Sequence, residues 1–166
     1  MTKYQLEVKA RISVMYHRRR QAFLERWDFA AKILALVTSA AVIYGEKYGA
    51  HQLGYWIAVA TATITMGVVV GGASRKAVQH SVLAARWATA LGDMVGVEEN
   101  SKALEPIKRR FAEIKRDELP ELGALIRLCH REVLRADGCK EADLPQVPCH
   151  HRLLAQWVDF QTPPAE

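Results

Sequence analysis

Cys129-His130, Cys139 and Cys149-His150-His151 bring together side chains that can ligate a borderline metal such as zinc. Structural zinc sites draw on close pairs two to four residues apart, and spacings of ten do not match, so no metal site is expected. Cys129 instead shares an apolar helical phase with Leu122, Leu125, Ile126 and Val133, which makes it a core position. A Gly-rich phosphate loop, a nucleophile elbow, an HExxH motif and a carboxylate pair are all missing from the sequence. Neither catalytic residues nor a cofactor are therefore expected, and the chain reads as a non-enzyme. Two other groups of residues carry physical chemistry. One is the cluster His17-Arg18-Arg19-Arg20, suited to lipid headgroups or an anionic ligand. The other is a run of small and hydroxyl residues: Ala60, Thr61, Thr63, Thr65, Gly67 and Gly71.

The elements that must position them follow from charge patterning. The chain has 166 residues, half of them hydrophobic, which excludes a disordered polypeptide. Its mean hydropathy of -0.07 averages long uncharged runs with dense basic stretches. Residues 53–74 form a 22-residue run without an ionisable side chain. As a helix it would span about 33 Å, enough for a bilayer core. Residues 29–45 form a second run, 17 residues long, with one charge at Lys32 near its start. A lysine at a helix end can snorkel to the headgroups, so this run is the expected first leg of a membrane hairpin. The competing reading is a soluble bundle with two core helices hydrophobic all round. Against it, a bundle helix in a small protein keeps a polar face, and 53–74 has no charge on any face.

Residues 46–52 make the turn, and Tyr44, Tyr48, Tyr55 and Trp56 fall at that end, with Phe23 and Trp27 at the other, as in two aromatic belts. Residues 1–32 hold eight basic side chains against three acids, and Arg75 and Lys76 directly follow the second run. The positive-inside rule then places both termini in the cytoplasm and the turn outside. Arg18, Arg19, Arg20, Arg26, Lys32, Arg75 and Lys76 are the expected contacts to lipid or an anionic ligand. A nucleic-acid module signature is missing, so no nucleic-acid partner is expected.

Helical spacing gathers Ala60, Thr63, Gly67, Gly71 and Ser74 on one stripe, and Gly67-x-x-x-Gly71 lets helix backbones approach closely in lipid. The stripe either seats the second helix on Ala31, Ala35 and Thr38 of the first or meets a neighbouring subunit. In a ring of copies, Thr61 and Thr65 could line a narrow pore that gates by dewetting. Two helices cannot enclose a channel alone, so a pore requires a homo-oligomer.

The remaining segments read as helices. Residues 1–28 form a basic amphipathic N-terminal helix, 29–74 the hairpin, 75–138 cytoplasmic helices and 139–166 a Pro-containing tail. Gly71-Gly72 is a candidate bend where the second span continues into Leu83, Trp87, Leu91 and Met94. Pro106 and Pro120 open two further amphipathic helices, Gly138 stops the second, and a short helix is possible over 151–160. The fold class is thus all-α, a two-span hairpin with a cytoplasmic helical bundle.

Arg11, Tyr16-His17-Arg18-Arg19-Arg20, Phe23 and Arg26 leading into a first span, a short turn, and a second span that continues as a cytoplasmic helix resemble the SLATT group of bacterial two-helix membrane proteins. The resemblance covers roughly residues 5–95. It implies an inner-membrane effector of an antiphage or conflict system, released by a cytoplasmic sensor protein or a nucleotide-derived signal. The expected function is an oligomeric, pore-forming or membrane-disrupting effector. The alternative is a membrane-anchored scaffold that recruits a cytoplasmic partner through residues 97–160.

Overall fold

The computed structural model describes residues 2–47 and 51–160, and among them every regular element is helical. The first helix, α1 (Lys3–Lys47), is 45 residues long, and no Gly or Pro interrupts it before Gly45. It is followed by α2 (His51–Val70), α3 (Ala73–Gly92), α4 (Ser101–Arg116), α5 (Gly123–Ala136) and α6 (Cys149–Leu154), with one 3₁₀ turn over Glu141–Asp143. The chain divides into two compact units, Met1–Arg20 with His80–Glu166, and Gln21–Gln79.

In the unit Gln21–Gln79, the later part of α1 and α2 run antiparallel. Leu24 is buried with Ala73 and Ala77, while Ala35, Thr38 and Ile43 share a groove with Ala58, Thr61 and Thr65. Between α2 and α3 the expected bend is a true break. The Gly71 N–H still bonds the Gly67 carbonyl at 2.9 Å, but Gly72 turns to φ 64°, and its carbonyl then accepts from Lys76 N–H to restart the helix. An L side chain at that φ costs about 1–2 kcal/mol, which is why the position suits glycine.

The other unit is organised around the first part of α1. Leu6 and Ala10 pack with Leu83, Trp87, Ala90 and Met94 of α3, and with Leu104, Ile107, Phe111 and Ile114 of α4. The spacing of three and four within each set is what turns one face of each helix inward. Trp87 and Phe111 meet edge to face with ring centroids 4.7 Å apart. Further along α1, Tyr16 packs with Ala124, Leu125 and Cys129 of α5 and with Ala155 just after α6.

Three helix boundaries differ from the expected ones, and at α4 a side-chain cap outweighs proline. Asn100 caps α4 by accepting the Lys102 N–H at 3.1 Å, so the helix starts at Ser101 and Pro106 lies inside it rather than opening it. Pro120 lies before α5, which begins at Gly123 without a side-chain cap, and Gly138 at φ 84° ends it. The tail helix is Cys149–Leu154, earlier and shorter than 151–160. The side chains of Tyr44 and Tyr48, part of the expected turn, and residues Pro163 and Pro164 lie outside the described residues.

One helical stretch among the described residues, Gly54–Gly92, is long and apolar enough to cross a membrane. The sequence expects two such spans. The first run shares α1 with the polar residues that precede it, and it carries Lys32, paired to Asp28 at 2.6 Å.

Candidate functional site

The antiparallel helix pair turns its apolar side chains outward. Leu36 and Val37 on α1, and Met66, Val69 and Val70 on α2, are 60–78% exposed, along with Tyr55 and Trp56 near the start of α2. Exposed apolar area costs about 25 cal/mol per Å² in water, and large apolar patches mark surfaces that meet a membrane or another protein. Apart from Glu46 and Lys47 beside the turn, the charged residues of this unit gather at the other end. Arg26, Lys32, Arg75 and Lys76 are all exposed, and the packing of Leu24 on Ala73 and Ala77 brings Arg26 to the level of Arg75 and Lys76.

The small and hydroxyl residues separate onto two faces. Thr61 is 7% exposed and turns toward α1, where Thr38 and Ala31 are buried in the same way. With Thr65, Ala58, Ala35 and Ser39 it lines a groove of about 690 Å³ between the helices. Thr38 and Thr61 donate to the carbonyls of Leu34 and Ile57 at 2.7 and 2.9 Å, whereas Thr65 Oγ1 is buried without a partner. Ala60, Thr63, Gly67 and Gly71 lie on the exposed face. The stripe therefore does not seat α2 on α1; the phase that carries Thr61 and Thr65 does so. The two glycines also differ in kind. A Cβ at Gly67 would meet no atom within 4 Å, but at Gly71 it would stand 2.9 Å from the Gly67 carbonyl oxygen. Gly71 serves the helix break, and Gly67 leaves an open surface.

The arginine cluster also splits. Arg18 is exposed. Arg19 pairs with Glu132 on α5, and Arg20 donates to the Gln156 carbonyl at 2.7 Å. These two are committed within the helical unit, where they tie α1 to α5 and to the residues after α6.

Between them lies a buried polar network that the basic run concealed. His17 is fully buried and His80 is 4% exposed, and their Nδ1 atoms approach to 2.8 Å. The other ring nitrogen of His17 lies 3.2 Å from Glu118 Oε1, which also accepts from Trp87 Nε1 at 2.6 Å. Lys115 stands 2.7 Å from the second Glu118 oxygen and also pairs with Glu121. Burial raises the Glu118 carboxyl, but hydrogen bonds from His17 and Lys115 outweigh it and hold the group down to about 2. Burial, followed by the neighbouring His17 and Arg20, lowers His80 to about 4 against the opposing pull of Glu118. A signal for His80 was available in its phase: Ala77, His80, Leu83 and Trp87 fall on one helical face, so a polar residue sat on a core stripe.

Of the Cys/His set, Cys129 is fully buried, and burial pushes its thiol up to about 11. His151 stacks on Phe160 with centroids 4.1 Å apart. Among the described residues, no three His, Cys, Asp or Glu side chains are grouped to hold a metal ion. Compared with protein-family models, curated proteins and solved structures, the chain matches none.

Proposed function

We propose that this chain is an oligomeric effector of the bacterial inner membrane that forms a pore or otherwise breaches the bilayer. Residues 29–45 and 53–74 cross as a hairpin, and both termini lie in the cytoplasm. The observation that carries the reading is the outward-facing, charge-free surface of α2, bounded at one end by Arg26, Arg75 and Lys76. Lipid satisfies such a surface, and the basic end belongs on the cytoplasmic side. The exposed Ala60, Thr63 and Gly67 face is where a neighbouring copy packs, since small residues favour close helix approach in lipid. Thr61 and Thr65 turn toward α1, so in this reading they are not the pore lining, and the Ala60, Thr63 and Gly67 contact is what joins the copies. The SLATT resemblance supports a role in defence or conflict, with a cytoplasmic sensor protein or nucleotide-derived signal as the trigger. Such a signal must bind one packing of the helices better than the other.

Membrane potential, followed with a dye during controlled expression, tests this. Wild-type chain should depolarise cells, and Gly67→Leu should not, because a Cβ at Gly67 meets no atom of its own chain within 4 Å and the added bulk falls on the face between copies. Purified oligomers that never conduct in planar bilayers, with cells that stay polarised, would remove the pore.

A further inference from the structure

The His17–His80 contact does not depend on the membrane reading, because both residues belong to the helical unit of Met1–Arg20 and His80–Glu166. At 2.8 Å between Nδ1 atoms there is room for one proton. The ionised Glu118 accepts from His17 Nε2–H. In the neutral pair, His17 Nδ1 is therefore bare and accepts from His80 Nδ1–H. A first added proton is tolerated, since one ring can become imidazolium while a single proton still bridges the two Nδ1 atoms. A second added proton sets N–H against N–H, and the contact must open.

We infer that this pair is an acid-opened latch that fastens α1 to α3 and, through Glu118, to the segment between α4 and α5. The groups facing it are Tyr16 and Arg20 from α1, Trp87 from α3, Lys115 from α4, and Glu118 and Glu121 after α4. Among them, Glu118 favours a charged imidazole, while burial, Arg20 and the partner ring oppose a second charge. The latch lies on the two helices that continue into, or follow from, the apolar pair: α1 runs on to Lys47, and α3 begins directly after the Gly71-Gly72 break. Opening it removes this polar tie between α1 and α3 without any ligand.

In the closed state burial and the neighbouring His17 lower His80 to about 4, whereas a ring released to water returns to the ordinary histidine value of 6.5. Between these values the opened population should rise about tenfold for each pH unit of acidification. Hydrogen exchange on the full-length protein in detergent micelles reads this, once corrected for the intrinsic pH dependence of amide exchange. Amides around residues 13–20 and 77–84 should lose protection progressively and reversibly from pH 6.5 to 4.5, about 100-fold in all. In His80→Asn, whose amide occupies the Nδ1 position without titrating, the same amides should show no such slope. A wild-type slope of zero, or an equal slope in His80→Asn, overturns the latch. Should that variant fail to fold, ¹⁵N shifts of the wild-type imidazoles decide. One bridging proton above pH 6.5, with the second arriving as protection falls, supports the latch. Two independently titrating rings refute it.

Discussion

Trp87 Nε1 donates to Glu118 Oε1 at 2.6 Å, and this bond joins the apolar core of α1, α3 and α4 to the buried polar network beside it. Trp87 is fully buried, and the Glu118 side chain is only 3% exposed, so neither group can turn to water if the other is lost. Trp87→Phe keeps the ring in the core but removes the donor, and should cost about 1–3 kcal/mol. Trp87→Ala adds a cavity and should cost about 3–5 kcal/mol. Denaturant unfolding in detergent, followed by circular dichroism, checks both. Equal losses for Phe and Ala would mean that the hydrogen bond, not the packing, dominates.

The same network fixes the sign of the pH dependence. His80 is lowered from 6.5 to about 4, so its contribution is complete above about pH 6.5 and is lost as pH falls toward 4. Glu118 is lowered from 4.5 to about 2, so its contribution is complete above about 4.5 and is lost as pH falls toward 2. Both act in one direction. The melting temperature of the full-length protein should fall from pH 7 to pH 4, and Glu118→Gln should flatten the part of the curve below pH 4.5. A melting temperature that rises on acidification would contradict both assignments.

The helices were legible because their apolar phases are regular. Leu83, Trp87 and Met94, then Leu104, Ile107, Phe111 and Ile114, then Leu125, Cys129 and Val133 all turn inward as their spacing demands. The bend at Gly71-Gly72 was legible for the same reason, since two adjacent glycines weaken a helix wherever they fall. What spacing could not deliver was which small residues face α1. Thr61 and Gly67 are six residues apart, about 120° around a helix of 3.6 residues per turn, and apolar patterning does not choose between faces when neither face is polar. The buried network was hidden differently. Tyr16-His17-Arg18-Arg19-Arg20 is a basic run by composition, yet only Arg18 is exposed in full, because helical periodicity sends adjacent residues to different neighbours.

That division of the arginines can be measured. Arg26, Arg75 and Lys76 are exposed at the end of the apolar surface, whereas Arg19 and Arg20 are engaged within the helical unit. Replacing any of the first three with Gln should reduce co-purifying anionic phospholipid roughly fivefold, as a loss of about 1 kcal/mol per basic residue implies. Arg19→Gln should leave lipid retention unchanged and lower stability by about 0.2–1 kcal/mol, as for a half-exposed ion pair. Native mass spectrometry of the detergent-released protein distinguishes the two sets.

The cysteines should separate by reactivity. Cys139 and Cys149 are exposed, while Cys129 is buried with its thiol pushed up to about 11. The thiolate is the nucleophile, so burial suppresses both access and ionisation at Cys129. A thiol reagent at pH 7.5 should modify two cysteines in the folded protein and the third only after denaturation. Rapid modification of all three would show that the α1–α5 packing around Cys129 is loose.

Gly67 and Gly72 offer the sharpest separation between folding and assembly. Gly72 adopts φ 64°, so Gly72→Ala places an L side chain in a left-handed conformation and should cost about 1–2 kcal/mol. The damage would fall on the break between α2 and α3, and it should be visible as a lower melting temperature whatever the oligomeric state. Gly67 is helical and exposed, with open space around an added Cβ, so Gly67→Ala should gain slightly in helix propensity within one chain. If copies meet on that face, the bulkier Gly67→Leu holds the helices apart, and size-exclusion chromatography with light scattering should report smaller assemblies at unchanged helicity. Wild type and Gly67→Leu of identical mass would move the subunit contact elsewhere on the hairpin, with the orphaned hydroxyl of Thr65 in the groove between α1 and α2 as the next place to look.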